Sequence, residues 1–107
     1  GGPVALAFAD DAAVRPLNAR FRGKDKATNV LSFPSAAGGG DIVLALETVA
    51  AEAESQAKRF PDHAAHLIAH GILHLMGYDH LSERQARPME ELERAILARF
   101  DIADPYA

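Results

Sequence analysis

Residues 62–80 read Asp62-His63-Ala-Ala-His66-Leu-Ile-Ala-His70-Gly71-Ile-Leu-His74-Leu-Met76-Gly77-Tyr-Asp79-His80, and all five histidines of the chain lie within them. Asp62 is a capping residue type and Gly77 a natural stop, so the pattern predicts a helix from His63 to about Met76. His70 and His74 are four residues apart on that helix, which places both imidazoles on one face about one turn apart. Gly77 turns the chain, and His80 can fold back toward the same face.

Outward from this central helix, strands come first and helices after. Val4–Ala9 is a short apolar run that reads as a buried strand, ended by Asp10 and Asp11. Asp10 can cap a helix from about Asp11 to Arg20, kinked or delayed by Pro16. Arg20 to Lys26 reads as a polar loop around Gly23, and Thr28–Phe33 as a second strand stopped by Pro34. Ser35 to Gly40 is a small-residue loop, followed by a third strand over Asp41–Leu46. Alanine, glutamate and lysine favour a helix from Glu47 to Arg59, ended before Pro61. Ser82-Glu-Arg-Gln85 matches a capping box that opens a last helix to about Phe100, with Leu92, Ile96 and Phe100 on its apolar face. The predicted class is α+β: a small mixed sheet packed against helices, with a metal site at the end of the central helix.

The 107 residues fit one domain, residues 1–107, with 49% hydrophobic and 24% charged residues. There is no cysteine, which excludes disulfides and thiolate-held zinc and leaves any metal to His, Asp or Glu. Val4–Ala9 is too short for a signal core or a membrane span, and no later stretch is apolar enough, so a soluble, cytoplasmic protein is expected. The chain begins Gly1-Gly2-Pro3 without a methionine, as expected of a processed or tagged start. Residues 1–40 carry +2 and residues 41–107 carry −6, which together give the net charge of −4. That balance argues against a wholesale nucleic-acid coat, although a bound divalent ion would make the field near the histidines more positive.

One isolated histidine is most simply a partnered core or capping residue. Three at this spacing point instead to a shared metal. Three neutral imidazoles with a fourth position open are the catalytic arrangement for zinc, whereas structural zinc sites close all four. Zinc at such a site lowers the pKa of a bound water toward about 7, which suits hydrolysis. Nickel or copper would also bind three imidazoles. His66 shares the face of His70 and is either a group supporting the ligands from behind or a partly buried polar residue. His63 is expected to be solvated in the first turn. Asp79 can accept a ligand's second N–H, or serve only as a turn residue. The histidine spacing is that of the extended metzincin peptidase motif, but the glutamate that acts there as general base is replaced by Gly71, which cannot move a proton. An ordinary peptidase is therefore not expected.

His70-Gly-Ile-Leu-His74-Leu-Met-Gly-Tyr-Asp-His80 resembles the signature of the YbeY endoribonucleases, or rRNA maturation factors. Arg22-Gly-Lys-Asp-Lys-Ala-Thr-Asn-Val-Leu-Ser-Phe-Pro34 is similar to the family's other marked stretch, and Gly40-Asp-Ile-Val43 and Asp104-Pro-Tyr106 fit as well. The resemblance covers about Val4 to Tyr106. It implies a zinc-dependent, single-strand-specific endoribonuclease acting in 16S rRNA 3′-end maturation and ribosome quality control. It further implies one zinc per chain on His70, His74 and His80, with Arg22 as a catalytic residue beside these three. The implied partners are single-stranded RNA, the small ribosomal subunit and its assembly factors, with no membrane. Family members begin with an additional strand and helix before the position of Val4, so a trimmed or a naturally short member is expected.

From the residues themselves, Arg20, Arg22, Lys24 and Lys26 alternate around Gly23, either as a phosphate-facing edge or as a solvated loop. Phe21 can stack a base or, more simply, pack inward. A scissile phosphate on the zinc would have Arg22 to steady its developing charge. Attack by water and attack by the RNA 2′-hydroxyl both remain open, as does the general base. Two other classes stand beside the nuclease: a metal-dependent hydrolase of another substrate, such as a degenerate peptidase, and a non-catalytic ribosome-assembly factor with a structural zinc.

Overall fold

Three short strands meet in the order β1-β3-β2. The structure, a computed structural model, describes residues 3–22, 28–77, 83–99, 102 and 104–105, with backbone alone at 21, 22 and 83–86. β1 (Val4–Ala9) runs parallel to β3 (Gly40–Ala45), with Leu6 opposite Ile42 and Phe8 opposite Leu44. β2 (Val30–Pro34) runs antiparallel to β3, with Val30 opposite Leu44 and Pro34 opposite Gly40. The helices are α1 (Asp11–Arg22), α2 (Leu46–Ser55), α3 (Phe60–Leu75) and α4 (Glu83–Ala98). This is the expected α+β architecture, a small mixed sheet packed against helices.

Side-chain alternation on the sheet explains the layering. On one face Leu31 and Ala45 pack with Val14 of α1, and Leu17, Phe33 and Val43 close around them. On the other face Leu44 packs with Val49 of α2 and with Ala64 and Leu67 of α3. The β2–β3 turn needs glycine at its end. Gly40 has φ +149°, and a Cβ there would collide with the Phe33 carbonyl oxygen.

Several local expectations give way to tertiary structure. β1 was expected to be buried, yet Val4, Leu6 and Phe8 are 42%, 47% and 46% exposed, because β3 rather than β1 is the central strand. Pro16 neither delays nor ends α1, which starts at Asp11 and continues to Arg22, past its expected end. Its N-terminus is held by Asp10, whose carboxylate accepts the Ala13 N–H at 2.7 Å, and by the complete burial of Val14. α2 ends at Ser55 rather than Arg59. Ala57 there adopts φ +54°, and the Lys58 N–H bonds the Ala53 carbonyl at 2.9 Å, a Schellman-type closure. α3 starts at Phe60, so Pro61 lies in its first turn, where no N–H is needed, and Arg59 rather than Asp62 is the capping residue. On α4 the buried stripe is Met89, Glu93 and Leu97, whereas Leu92 is exposed and Phe100 lies outside the described residues. No helix among the described residues is long and apolar enough to cross a membrane.

Candidate metal centre

α3 is laid closely against the sheet at Gly71. A Cβ at this position would stand 3.0 Å from Ser32 Oγ and 3.1 Å from Ile42 Cδ1, and Ser32 Oγ donates to the Gly71 carbonyl at 3.3 Å. The position that carries the glutamate of peptidases therefore faces packed sheet here, and a longer side chain has no room.

His70 and His74 present their Nε2 atoms to one another at 3.0 Å, with ring centroids 4.5 Å apart. Two nitrogens bound tetrahedrally to one zinc at about 2.0–2.1 Å lie roughly 3.3 Å apart, so this pair fits a shared ion. The other nitrogen of His70 is already engaged: Nδ1 lies 2.5 Å from Glu93 Oε1. The second oxygen of Glu93 lies 3.2 Å from His66 Nε2. The Glu93 side chain is fully buried, while those of His66 and His70 are 15% and 21% exposed. His66 also borders a cleft with Lys58, Arg59, Asp62 and Asp104, and Asp104 is itself bound by Arg94 at 2.9 Å.

His63 behaves differently from its expectation. It is 3% exposed rather than solvated, and its Nε2 lies 2.9 Å from Glu52 Oε1. Glu52 also accepts from Asn29 Nδ2 at 3.1 Å, so α2, α3 and the residue just before β2 are pinned at one point.

Of the expected site residues, the structure brings His70 and His74 together and places His66 behind them. His80 and Asp79 lie outside the described residues, as do Gly23, Lys24 and Lys26. Arg22 closes α1, and its side chain is outside the description. Among the described residues no group of three His, Cys, Asp or Glu side chains is arranged to hold a metal, so this part of the chain contributes two converging donors. Glu93 escaped the sequence reading. Its signal was the spacing Met89, Glu93, Leu97, a carboxylate embedded in an apolar stripe at helical period.

Fold and site together define a class: a small α+β protein whose central helix presents a histidine cluster backed by a buried glutamate. Comparison with known proteins narrows it. The chain belongs to the Endoribonuclease YbeY family, whose model matches residues 3–101. It is 55% identical over 111 residues to the Endoribonuclease YbeY of Methylocella silvestris, covering 96% of this chain and 62% of that protein. It is 51% identical over 117 residues to that of Rhodopseudomonas palustris, covering 100% and 62%. With that of Bartonella henselae it shares 51% identity over 113 residues, covering 97% and 72%. The chain thus spans about 62% of the length of the first two relatives. Among solved structures it is similar to the solution structure of TM1509 from Thermotoga maritima, with TM-score 0.58, 26% identity, and coverage of 95% of this chain and 76% of that one.

Proposed function

We propose that this chain is a metal-dependent endoribonuclease acting on single-stranded RNA, with zinc held by His70, His74 and His80. The observation that carries the reading is the convergence of His70 Nε2 and His74 Nε2 at 3.0 Å on a helix that belongs to the YbeY family. When bound, zinc supplies a Lewis acid for polarising a phosphodiester oxygen. The chain's own residues do the rest. His70 and His74 orient the ion at the C-terminal half of α3, and Arg22 neutralises charge that builds on the phosphate. Gly71 supports the nuclease over the peptidase alternative, since its packing against Ser32 and Ile42 leaves no place for a glutamate base.

The finer assignment is maturation of the 16S rRNA 3′ end and ribosome quality control in the cytoplasm, with the small subunit and its assembly factors as partners. It is supported by the two motif segments at 22–34 and 70–80. The test combines metal analysis with cleavage of a single-stranded rRNA fragment by wild type, His74→Ala and Arg22→Ala. The expected result is one zinc per chain and cleavage by the wild type alone. Products ending in a 2′,3′-cyclic phosphate would assign attack to the 2′-hydroxyl. A wild type that is metal-free and stays inactive after zinc is added would overturn the enzyme reading.

A further inference from the structure

We infer that Glu93 is a positioning residue of this site: its buried carboxylate holds His70 with the proton on Nδ1, leaving the Nε2 lone pair for the metal. The inference rests on the zinc reading above for the role of His70, and on the structure for the rest.

In its ionised form Glu93 accepts hydrogen bonds and donates none, and both imidazoles that touch it then donate to it. His70 does so from Nδ1 and His66 from Nε2. The two neighbours are thereby given opposite tautomers by one side chain. His70 turns Nε2 toward His74, whereas His66 turns Nε2 inward to Glu93. His66 is on this inference the carboxylate's second donor and not a ligand through that nitrogen. Hydrogen-bond donors of this kind are what a carboxylate at 0% exposure requires in place of the water it has lost. The cost of placing Glu93 between Met89 and Leu97, both 1% exposed, is out of proportion to a mere helix clamp, for which an apolar residue would serve. A carboxylate that accepts from the far N–H also fixes the ring orientation of a ligating imidazole.

Two measurements test this, and the first needs no variant. In metal-free, nitrogen-15-labelled wild type, long-range proton–nitrogen correlation should show His70 protonated at Nδ1 and His66 at Nε2. A His70 ring protonated at Nε2 would overturn the proposal. In the second, zinc affinity is measured by competition with a chromophoric chelator. Glu93→Gln, which keeps the shape and removes the charge, should weaken zinc binding roughly 10- to 100-fold. A purely structural Glu93 would change thermal stability and leave that affinity within about twofold, which would also overturn the proposal. The nuclease reading fails separately: a wild type that binds zinc tightly and cleaves no single-stranded RNA sinks the activity and leaves the role of Glu93 standing.

Discussion

Two histidines on α3, one in its first turn and one in its C-terminal half, are each paired with a glutamate from a neighbouring helix, yet they are built for different purposes. His63 uses Nε2 to bind Glu52, and its Nδ1, buried, has no hydrogen-bond partner among the described residues. His70 uses Nδ1 to bind Glu93 and points Nε2 toward His74. Glu52 is one-third exposed and shared with Asn29; Glu93 is fully buried and shared with His66. A histidine–carboxylate pair is therefore no mark of a site in itself. What decides is which nitrogen the carboxylate occupies and what the remaining one faces.

The largest expected effect lies at the His70 end. His74→Ala removes a donor outright, so zinc affinity should fall by at least about 100-fold, beyond the loss typical of changes behind the ligands. Chelator competition measures it, and affinity retained to within tenfold would break the assignment of this end as a metal centre. Next comes the helix seat beside His70. Gly71→Ala places a methyl 3.0 Å from Ser32 Oγ and 3.1 Å from Ile42, an overpacking of about 1–3 kcal/mol that the roughly 0.5–1 kcal/mol helix preference of Ala over Gly offsets in part. In a domain of this size each kcal/mol lowers Tm by roughly 4–8 °C, which calorimetry resolves. At the other end, Glu52→Ala leaves His63 buried without its partner and should cost about 1–2 kcal/mol. Zinc affinity should stay at the wild-type value. If Glu52→Ala weakened zinc as much as Glu93→Gln, the distinction between the two ends would collapse.

Sequence pattern sufficed where a signal is local. The four-residue spacing of His70 and His74, the three apolar strand runs and the stop at Gly77 all involve residues that are neighbours along one element. It failed where the partner comes from elsewhere in the chain. His63 looked solvated because nothing near it in sequence shows Glu52, which α2 brings alongside. Glu93 is 23 residues from His70 and was hidden by the choice of Leu92 and Ile96 as the buried face, a face rotated from the Met89–Glu93–Leu97 stripe that packs inward. β1 looked buried because an apolar run does not reveal strand order. Pro16 looked disruptive because a local rule was set against a cap and a buried Val14 that together outweigh it.

The smallest effect lies away from α3, where the N-termini of α1 and α2 cap each other. Asp11 Oδ2 accepts from the Thr48 hydroxyl at 2.6 Å and Oδ1 from the Thr48 N–H at 3.2 Å, while the Asp11 N–H donates to Glu47. The Thr48 hydroxyl holds the Asp11 carboxyl below the usual carboxylate range, against the opposing loss of water, and the Thr48 N–H adds to the lowering. A carboxylate whose folded-state pKa is depressed contributes stability that is complete above its unfolded pKa, about 3.9. That contribution disappears as pH falls through the lower folded value. Asp11→Asn should therefore melt slightly below wild type at pH 7, and the gap should close as pH drops below about 4. Thr48→Val should shrink the same gap by removing the main cause of the depression. A gap that widened on acidification would show that Asp11 is held in its neutral form. Zinc affinity at pH 7 should be the same in both variants, since this carboxylate, unlike Glu93, faces helix N–H and hydroxyl donors and no imidazole.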